Sequence, residues 1–167
     1  MESRAKFLGH AVHPILIVFP LGLLATAVVF DVIYLIWGSA DMASVAYWMM
    51  AAGIVGGLIA APFGLIDWLA IPNGTRAKTI GLMHGLSNFV ALLLFIASWA
   101  MRYNFPERPD TLASVFSFLG FAMAGLGGWL GGELVERLGV GVSDGANLDA
   151  PNSLTHASAR TTTNSPR

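Results

Sequence analysis

The sequence predicts an all-α integral membrane protein, a four-helix bundle whose helices cross the bilayer up, down, up and down. Of the 167 residues, 55% are hydrophobic and only 11% are charged, whereas about a quarter of the residues of a soluble domain are charged. A soluble domain of this length lacks the interior to hide so much apolar surface. Four apolar stretches are long enough to span the hydrocarbon core, which takes about 20 helical residues.

The four predicted spans cover residues 14–37, 44–71, 79–102 and 111–137, with short loops between them. The basic N-terminus and the first apolar run also resemble a cleaved signal peptide, but the run continues to Trp37. That is too long for a signal peptide, so we interpret it as an uncleaved first span. Residues 1–142 therefore form the predicted four-span domain. Residues 143–167, which are rich in Ser, Thr, Asn, Ala and Pro, are predicted to be a disordered tail.

The basic residues predict the orientation of these spans. We define side A as the membrane side of the N-terminus and side B as the opposite side. With four spans, side A also holds the loop between the second and third spans and the C-terminus. The basic residues predicted on side A are Arg4, Lys6, Arg76, Lys78, Arg137, Arg160 and Arg167, against Arg102 and Arg108 on side B. The positive-inside rule then places both termini in the cytoplasm.

The composition excludes several classes of function. The net charge is −1 and no basic stripe is present, so nucleic acid is not an expected partner. The absence of cysteine excludes disulfides and thiolate metal sites, and leaves His, Asp and Glu as metal ligands. No nucleophile elbow, phosphate loop, dinucleotide fingerprint or His-Glu-x-x-His pair occurs. We therefore assign no catalytic residue, and we make no prediction about whether the protein is an enzyme.

Two rows of small residues predict close packing between helices. Gly120, Ala124, Gly128 and Gly132 recur every four residues in the fourth span, and Gly53, Gly57 and Ala61 do so in the second. In a membrane, such rows let helix backbones approach closely. We favour packing inside the bundle, and the alternative is a homo-oligomer formed through these Gly/Ala-rich faces.

The polar residues within the spans are concentrated at the side A ends. His10 and His13 immediately precede the first span, and Asp67 lies near the end of the second. His84 and Asn88 share one face of the third span through their i, i+4 spacing. Since ionisable groups inside a membrane are costly, we expect these side chains to meet. By depth along its helix, His13 lies nearer the head groups than His84 does.

Three interpretations of this polar cluster remain open. The first is a structural network in which Asp67 orients His84 or pairs with Arg76. The second is a transition-metal or haem site with His13 and His84 as ligands, together with His10 or Asp67, because imidazole suits zinc, copper and iron. The third is proton or quinone handling at the cytoplasmic surface, since histidine exchanges a proton near neutral pH.

Two further charged pairs are predicted outside this cluster. Asp31 lies deep in the first span towards side B, where Arg102 at the end of the third span can snorkel to it. A structural ion pair is the expected role. Glu133 and Arg137 have the i, i+4 spacing of an interfacial salt bridge.

Several spaced motifs resemble a bacterial membrane family of unknown function, the domain of unknown function 2231. They occur in one order over roughly residues 8–142. These motifs are Gly9-His10, His13-Pro14, Phe19-Pro20, Asp31, Gly64-x-x-Asp67-Trp68, His84-x-x-x-Asn88 and Gly131-Gly132-x-Leu134-Val135 followed by Gly139-Val140-Gly141-Val142.

The resemblance implies a multi-pass protein of the bacterial cytoplasmic membrane with characteristic polar positions. Carried over to this chain, those positions are His13, Asp31, Asp67, His84 and Asn88. Some relatives carry a Rieske iron–sulfur domain, which implies membrane redox chemistry and a redox partner protein. The leading hypothesis is a small redox-associated or metal- or haem-binding membrane subunit. The alternative is a non-catalytic structural or interaction subunit whose polar cluster only stabilises the bundle.

Overall fold

A computed structural model confirms the all-α membrane bundle and describes residues 1–155. In this part of the chain, four helices are long and apolar enough to cross a membrane. We call them spans 1 to 4. They cover Val12–Trp37, Ala40–Ala70, Arg76–Met101 and Thr111–Arg137. The protein is thus a membrane-embedded, multi-pass protein whose spans begin and end within a few residues of the predicted limits.

Span 1 consists of two helices, α1 (Val12–Leu16) and α2 (Val18–Trp37), separated at Ile17. Pro20 explains the interruption, because it has no N–H to donate to the carbonyl of Leu16 one turn earlier. Span 1 ends at Gly38, whose φ of 66° allows its N–H to bond to the Tyr34 carbonyl. Glycine adopts this left-handed conformation without strain and is the usual residue at such a helix end.

Spans 2 and 3 are single helices, α3 (Ala40–Ala70) and α4 (Arg76–Met101). Span 4 consists of α5 (Thr111–Gly132) followed by a π-helix, Glu133–Arg137. Side-chain caps mark the starts of spans 3 and 4. The Thr75 hydroxyl accepts the Lys78 N–H at 3.2 Å, and the Asp110 carboxylate accepts the Ala113 N–H at 2.7 Å. Such caps satisfy N–H groups that have no partner within the helix.

The spans pack as two helical hairpins. Span 1 packs mainly on span 2, and span 3 mainly on span 4. In the first hairpin the side chain of Leu24 lies against Gly53, and in the second that of Phe95 lies against Gly120. The buried apolar centre joins the two hairpins and consists of Leu24, Ala27, Val28, Ala46, Met50, Ile54 and Phe95. Many large apolar side chains remain exposed on the outer faces, as expected for surfaces in contact with lipid.

The glycine rows serve packing only in part. In span 2, added Cβ atoms at Gly53, Gly57 and Gly64 would contact residues of other spans, so these glycines face into the bundle, whereas Ala61 is exposed. In span 4 the inward glycines are Gly120, Gly127 and Gly131. Added Cβ atoms at Gly125, Gly128 and Gly132 would meet no atom within 4 Å. The alternative of a homo-oligomer formed through that face stays a hypothesis.

Residues 1–11 form a segment at the side A ends of the helices, which we call the N-terminal strap. It contains two short antiparallel strands, β1 (Lys6–Phe7) and β2 (His10–Ala11), joined by a turn with Leu8 and Gly9 at positive φ. The Met1 ammonium donates to the Gly139 carbonyl at 3.0 Å, and the Gly141 N–H donates to the Met1 carbonyl at 2.9 Å. The strap is therefore fastened to the turn that follows span 4.

A charged pair strengthens the same junction. The Glu2 carboxylate pairs with Lys6 and accepts the Asp144 N–H at 2.9 Å. The hydrogen bond from Lys6, followed by that from Asp144, holds the pKa of the Glu2 carboxyl below its usual value. The Glu2 carboxylate is therefore ionised at neutral pH, and at that pH it can accept the hydrogen bonds from both Lys6 and Asp144.

The predicted tail lies only partly within the described residues. Residues 143–155 run mostly through turns and end in a 3₁₀ helix, Ser153–Thr155. The Ser153 side chain lies against Gly9. The remainder of the predicted disordered tail, including His156, lies outside the described residues.

Candidate functional site

His13 lies in the short helix α1 and packs against span 2. Its Nδ1 lies 3.1 Å from the carbonyl oxygen of Ala60. A Cβ atom at Gly64 would lie 2.8 Å from the imidazole Cε1, so only glycine leaves room for this ring. Because a carbonyl oxygen can only accept, Nδ1 carries a proton, and in the neutral imidazole Nε2 keeps the lone pair.

His84 in span 3 packs against span 4 in the same way. Its Nδ1 lies 2.8 Å from the carbonyl oxygen of Gly127, and a Cβ atom at Gly131 would lie 3.1 Å from its Cε1. Here too the proton is on Nδ1 and the lone pair on Nε2. In both hairpins a histidine therefore bonds to the carbonyl of a small residue and lies against the glycine one turn later.

The two imidazoles meet between the hairpins. Their ring centroids are 6.3 Å apart, and the ring planes are nearly perpendicular at 85°. The sequence places His13 nearer the head groups, yet the structure brings it into contact range of His84. Asn88 completes the group, because its amide nitrogen donates to the His84 carbonyl at 2.9 Å and lies 3.3 Å from Nε2 of the ring.

Asp67 has partners that the sequence analysis did not anticipate. Its carboxylate accepts the Ser3 hydroxyl at 2.8 Å and the Arg4 N–H at 2.8 Å, both from the N-terminal strap. The expected hydrogen bond to His84 and the expected ion pair with Arg76 are not among the bonds it makes within residues 1–155. The strap lacks the periodicity that would place it over a particular helix, so this contact could not be predicted from the sequence.

Arg76 instead pairs with Glu133, and this corrects a second expected pair. The Arg76 guanidinium lies 2.5 Å from the Glu133 carboxylate, at a partly exposed position. The i, i+4 spacing predicted a pair of Glu133 with Arg137 instead. These two residues lie in the π-helix, whose i to i+5 hydrogen bonds widen the turn. An i, i+4 pair therefore does not stack there as it does in an α-helix.

His10 does not join the histidine pair. It is exposed in the strap, and its Nε2 lies 3.3 Å from the Ser153 hydroxyl. Of the four metal ligands proposed from the sequence, the structure brings together His13 and His84, while Asp67 and His10 bond elsewhere. Residues 1–155 contain no group of three or more His, Cys, Asp or Glu side chains arranged to hold a metal ion.

A second polar group lies towards side B and is fully buried. The Arg102 guanidinium donates to both carboxylate oxygens of Asp31, at 2.5 and 2.8 Å, and both side chains are 0% exposed. Ser117, which the sequence analysis did not single out, donates its hydroxyl to the same carboxylate at 2.6 Å. This group ties spans 1, 3 and 4 together.

The two polar groups occupy equivalent places in the two hairpins. Asp31 follows His13 by 18 residues, and Arg102 follows His84 by 18 residues (31 − 13 and 102 − 84). Since that spacing is five full helical turns, each span presents its histidine and its charged residue on the same face. The equivalent side chains meet in pairs, the histidines towards side A and the ion pair towards side B.

The fold and these two groups define a class, a four-span membrane protein built from two packed helical hairpins with polar side chains paired between them. A family model described as a predicted membrane protein, DUF2231, matches residues 9–144. The chain therefore belongs to that family of unknown function. No curated protein and no solved structure matches the chain.

Proposed function

We propose that this protein is a small metal-binding membrane subunit in which His13 and His84 are the two protein ligands. The observation that supports this most directly is their meeting at a centroid distance of 6.3 Å, one histidine from each hairpin. Both rings have their Nδ1 bonded to a backbone carbonyl. Such a bond orients a metal-binding imidazole, fixes its tautomer and raises its basicity.

The donor set fits a borderline transition metal. Neutral imidazole is a common ligand of zinc, copper, nickel and iron, including haem iron. A metal–nitrogen bond of about 2.0 Å and roughly 1 Å from nitrogen to ring centre put two imidazoles on opposite sides of one ion about 6 Å apart. The observed 6.3 Å is close to that separation. Asn88 adds a neutral side chain beside His84, and a bound metal of this type would supply electron transfer or Lewis acidity.

The position of the pair supports a role at the cytoplasmic surface. Both histidines lie near the side A ends of the spans, on the side that carries most of the basic residues near span ends. The positive-inside rule makes this the cytoplasmic side of a bacterial inner membrane. A redox-active metal at this depth would serve electron exchange with a cytoplasmic or membrane partner protein, which is the redox-associated role we propose.

Metal analysis of the purified protein tests this proposal. The protein is extracted in detergent, its bound metals and absorption spectrum are recorded, and the metal-free form is titrated with Cu²⁺, Zn²⁺ and haemin. We expect one site per chain that is lost in both His13→Ala and His84→Ala. His10→Ala is the matched control and should bind normally, because His10 lies outside the pair. Equal binding by all three variants would overturn the proposal.

The second candidate is a structural subunit in which the polar groups only lock the bundle. Each histidine joins two spans through its bond to a carbonyl, and this alone stabilises the hairpins. This role predicts a colourless, metal-free protein that takes up none of the three probes. His13→Ala and His84→Ala would then lower the unfolding temperature without changing any spectrum.

A further inference from the structure

Two buried donors towards side B have no hydrogen-bond partner within residues 1–155. They are the indole Nε1 of Trp99 and the guanidinium Nε of Arg102. Leaving a buried donor unpaired costs about 1–3 kcal/mol, and native proteins pair nearly all such groups with protein atoms or ordered water. Two orphan donors three residues apart on one helix therefore indicate an occupant that both of them bind.

The two N–H groups belong to residues one helical turn apart at the side B end of span 3. Trp99 lies in the last turn of span 3, and Arg102 caps that helix in a right-handed helical conformation, so their i, i+3 spacing puts them on one face. A long side chain on a helix leans back over the preceding turn, which here carries Trp99. The two terminal nitrogens of Arg102 are occupied by Asp31, so Nε is the donor left over. The Trp99 ring is fixed by stacking on Tyr47, with centroids 5.6 Å apart.

The charges around the two donors identify the occupant. An anion would be repelled by the Asp31 carboxylate, and a cation by the Arg102 guanidinium. A neutral oxygen can accept from both N–H groups, and both atoms are buried, which favours the smallest such ligand. We propose that one water molecule is bound between Trp99 Nε1 and Arg102 Nε. Its own hydrogens can be donated to the second lone pairs of the carbonyl oxygens at the end of span 3, where the Trp99 carbonyl already accepts the Arg102 N–H at 3.1 Å.

This water would complete the buried ion pair. The Asp31 carboxylate already accepts hydrogen bonds from Arg102 and Ser117, and the water would bind the one guanidinium nitrogen that has no partner within residues 1–155. A buried polar network stabilises a fold when every member is paired and weakens it when one is not. The hydration site thus joins Trp99, and with it Tyr47 of span 2, to the group that ties spans 1, 3 and 4.

NMR of the full-length protein in nanodiscs, labelled with ¹⁵N at tryptophan and arginine, tests the proposal. Spectra of Trp99→Phe and Arg102→Lys assign the two N–H signals by their disappearance. We expect both signals to show a cross-peak to long-lived water. The Trp68 indole is the internal control, because its Nε1 donates to the Lys78 carbonyl at 3.1 Å and should show no such cross-peak. Absence of the water cross-peak from either Trp99 or Arg102 would overturn the proposal.

A substitution tests whether one water serves both donors. Trp99→Phe keeps an aromatic ring against Tyr47 but removes the indole N–H. The water cross-peak of Arg102 Nε should then fall several-fold, because the water has lost one of its two donors. Trp129→Phe, at a side chain 68% exposed on the outer face, should leave it unchanged. An Arg102 cross-peak that is the same in both variants would show that no water is shared.

Discussion

Asp31 and Arg102 illustrate at the residue scale how a charged pair survives inside an apolar bundle. Taking two charges out of water costs several kcal/mol per ion, and their attraction offsets this only when the remaining donors and acceptors are also paired. Here two guanidinium nitrogens and the Ser117 hydroxyl supply bonds to one carboxylate. Arg76 and Glu133 form the contrasting case, because they are partly exposed and solvent screens their attraction.

Asp31→Asn should destabilise the protein strongly. The substitution leaves the Arg102 charge buried without a counter-charge, and breaking a buried pair in this way costs about 3–5 kcal/mol. The unfolding midpoint in detergent measures the loss. Glu133→Gln is the control, since exposed pairs contribute about 0–1 kcal/mol. Asp31→Asn combined with Arg102→Gln should recover part of the stability, and equal midpoints for Asp31→Asn and the parent protein would contradict this account.

At the scale of the helices, glycine positions decide where the histidines lie. Gly64 and Gly131 each leave space for one imidazole ring, and the carbonyl one turn earlier accepts its Nδ1 proton. Without a hydrophobic driving force between spans, such close contacts and hydrogen bonds supply much of the association energy. The glycines of span 4 that face outward do none of this, although they have the same spacing.

Gly64→Ala should displace His13, because the new Cβ would lie 2.8 Å from the imidazole Cε1. Overpacking of this kind typically costs about 1–3 kcal/mol, and the displaced ring should also weaken metal binding. Unfolding midpoints and Cu²⁺ titrations are the measurements. Gly128→Ala is the matched control, since its Cβ would meet nothing within 4 Å. If the two variants behave alike, the fit of His13 against Gly64 is not what positions the ring.

A second contact at the scale of the helices joins the N-terminal strap to Asp67 of span 2. Gly64 and Asp67 are three residues apart and share one face of span 2. His13 lies against the first and the strap is bonded to the second. The strap is therefore held on the side A face of the histidine pair. Its three described donors to Asp67 come from Ser3, Arg4 and Ala5.

Asp67→Asn should release the strap. Hydrogen bonds to a charged group contribute about 1.5–3 kcal/mol, so losing the charge raises the detached population about tenfold or more. Trypsin cleavage after Arg4 and Lys6 reports on detachment, with cleavage at Arg76 and Lys78 as the internal reference. Asp41→Asn, an exposed acid at the start of span 2, is the control. An unchanged cleavage rate would mean that Asp67 does not hold the strap.

At the scale of the whole molecule, the chain is two hairpins packed face to face. The contact of Leu24 with Gly53 in one corresponds to that of Phe95 with Gly120 in the other. Both hairpins begin on side A, so they are parallel repeats of the kind related by an axis along the membrane normal. This arrangement brings equivalent side chains together at both ends of the bundle.

Cysteine labelling tests the proposed orientation, and the absence of native cysteine makes single substitutions clean. Asn73→Cys lies in the side A loop and Asn104→Cys in the side B loop, both at exposed positions. In intact cells, a membrane-impermeant maleimide should label Asn104→Cys alone. After permeabilisation it should label both variants. The reverse pattern would place the termini outside the cytoplasm and the histidine pair on the other face of the membrane.

The class of fold, the number and length of the spans, and the two ends at which polar side chains gather could all be predicted from the amino-acid sequence. These follow from hydropathy and helical rise, which are local properties of the chain. The ion pair of Asp31 with Arg102 could be predicted as well, because the depth of each residue along its helix is enough to bring the two to the same level. Tertiary structure alone decided that His13 meets His84, that Asp67 binds the strap and that Arg76 binds Glu133. These three contacts depend on how each helix is rotated about its axis and on where the non-periodic N-terminal strap lies. Packing against glycine and hydrogen bonds between distant residues set the helix rotations and the position of the strap.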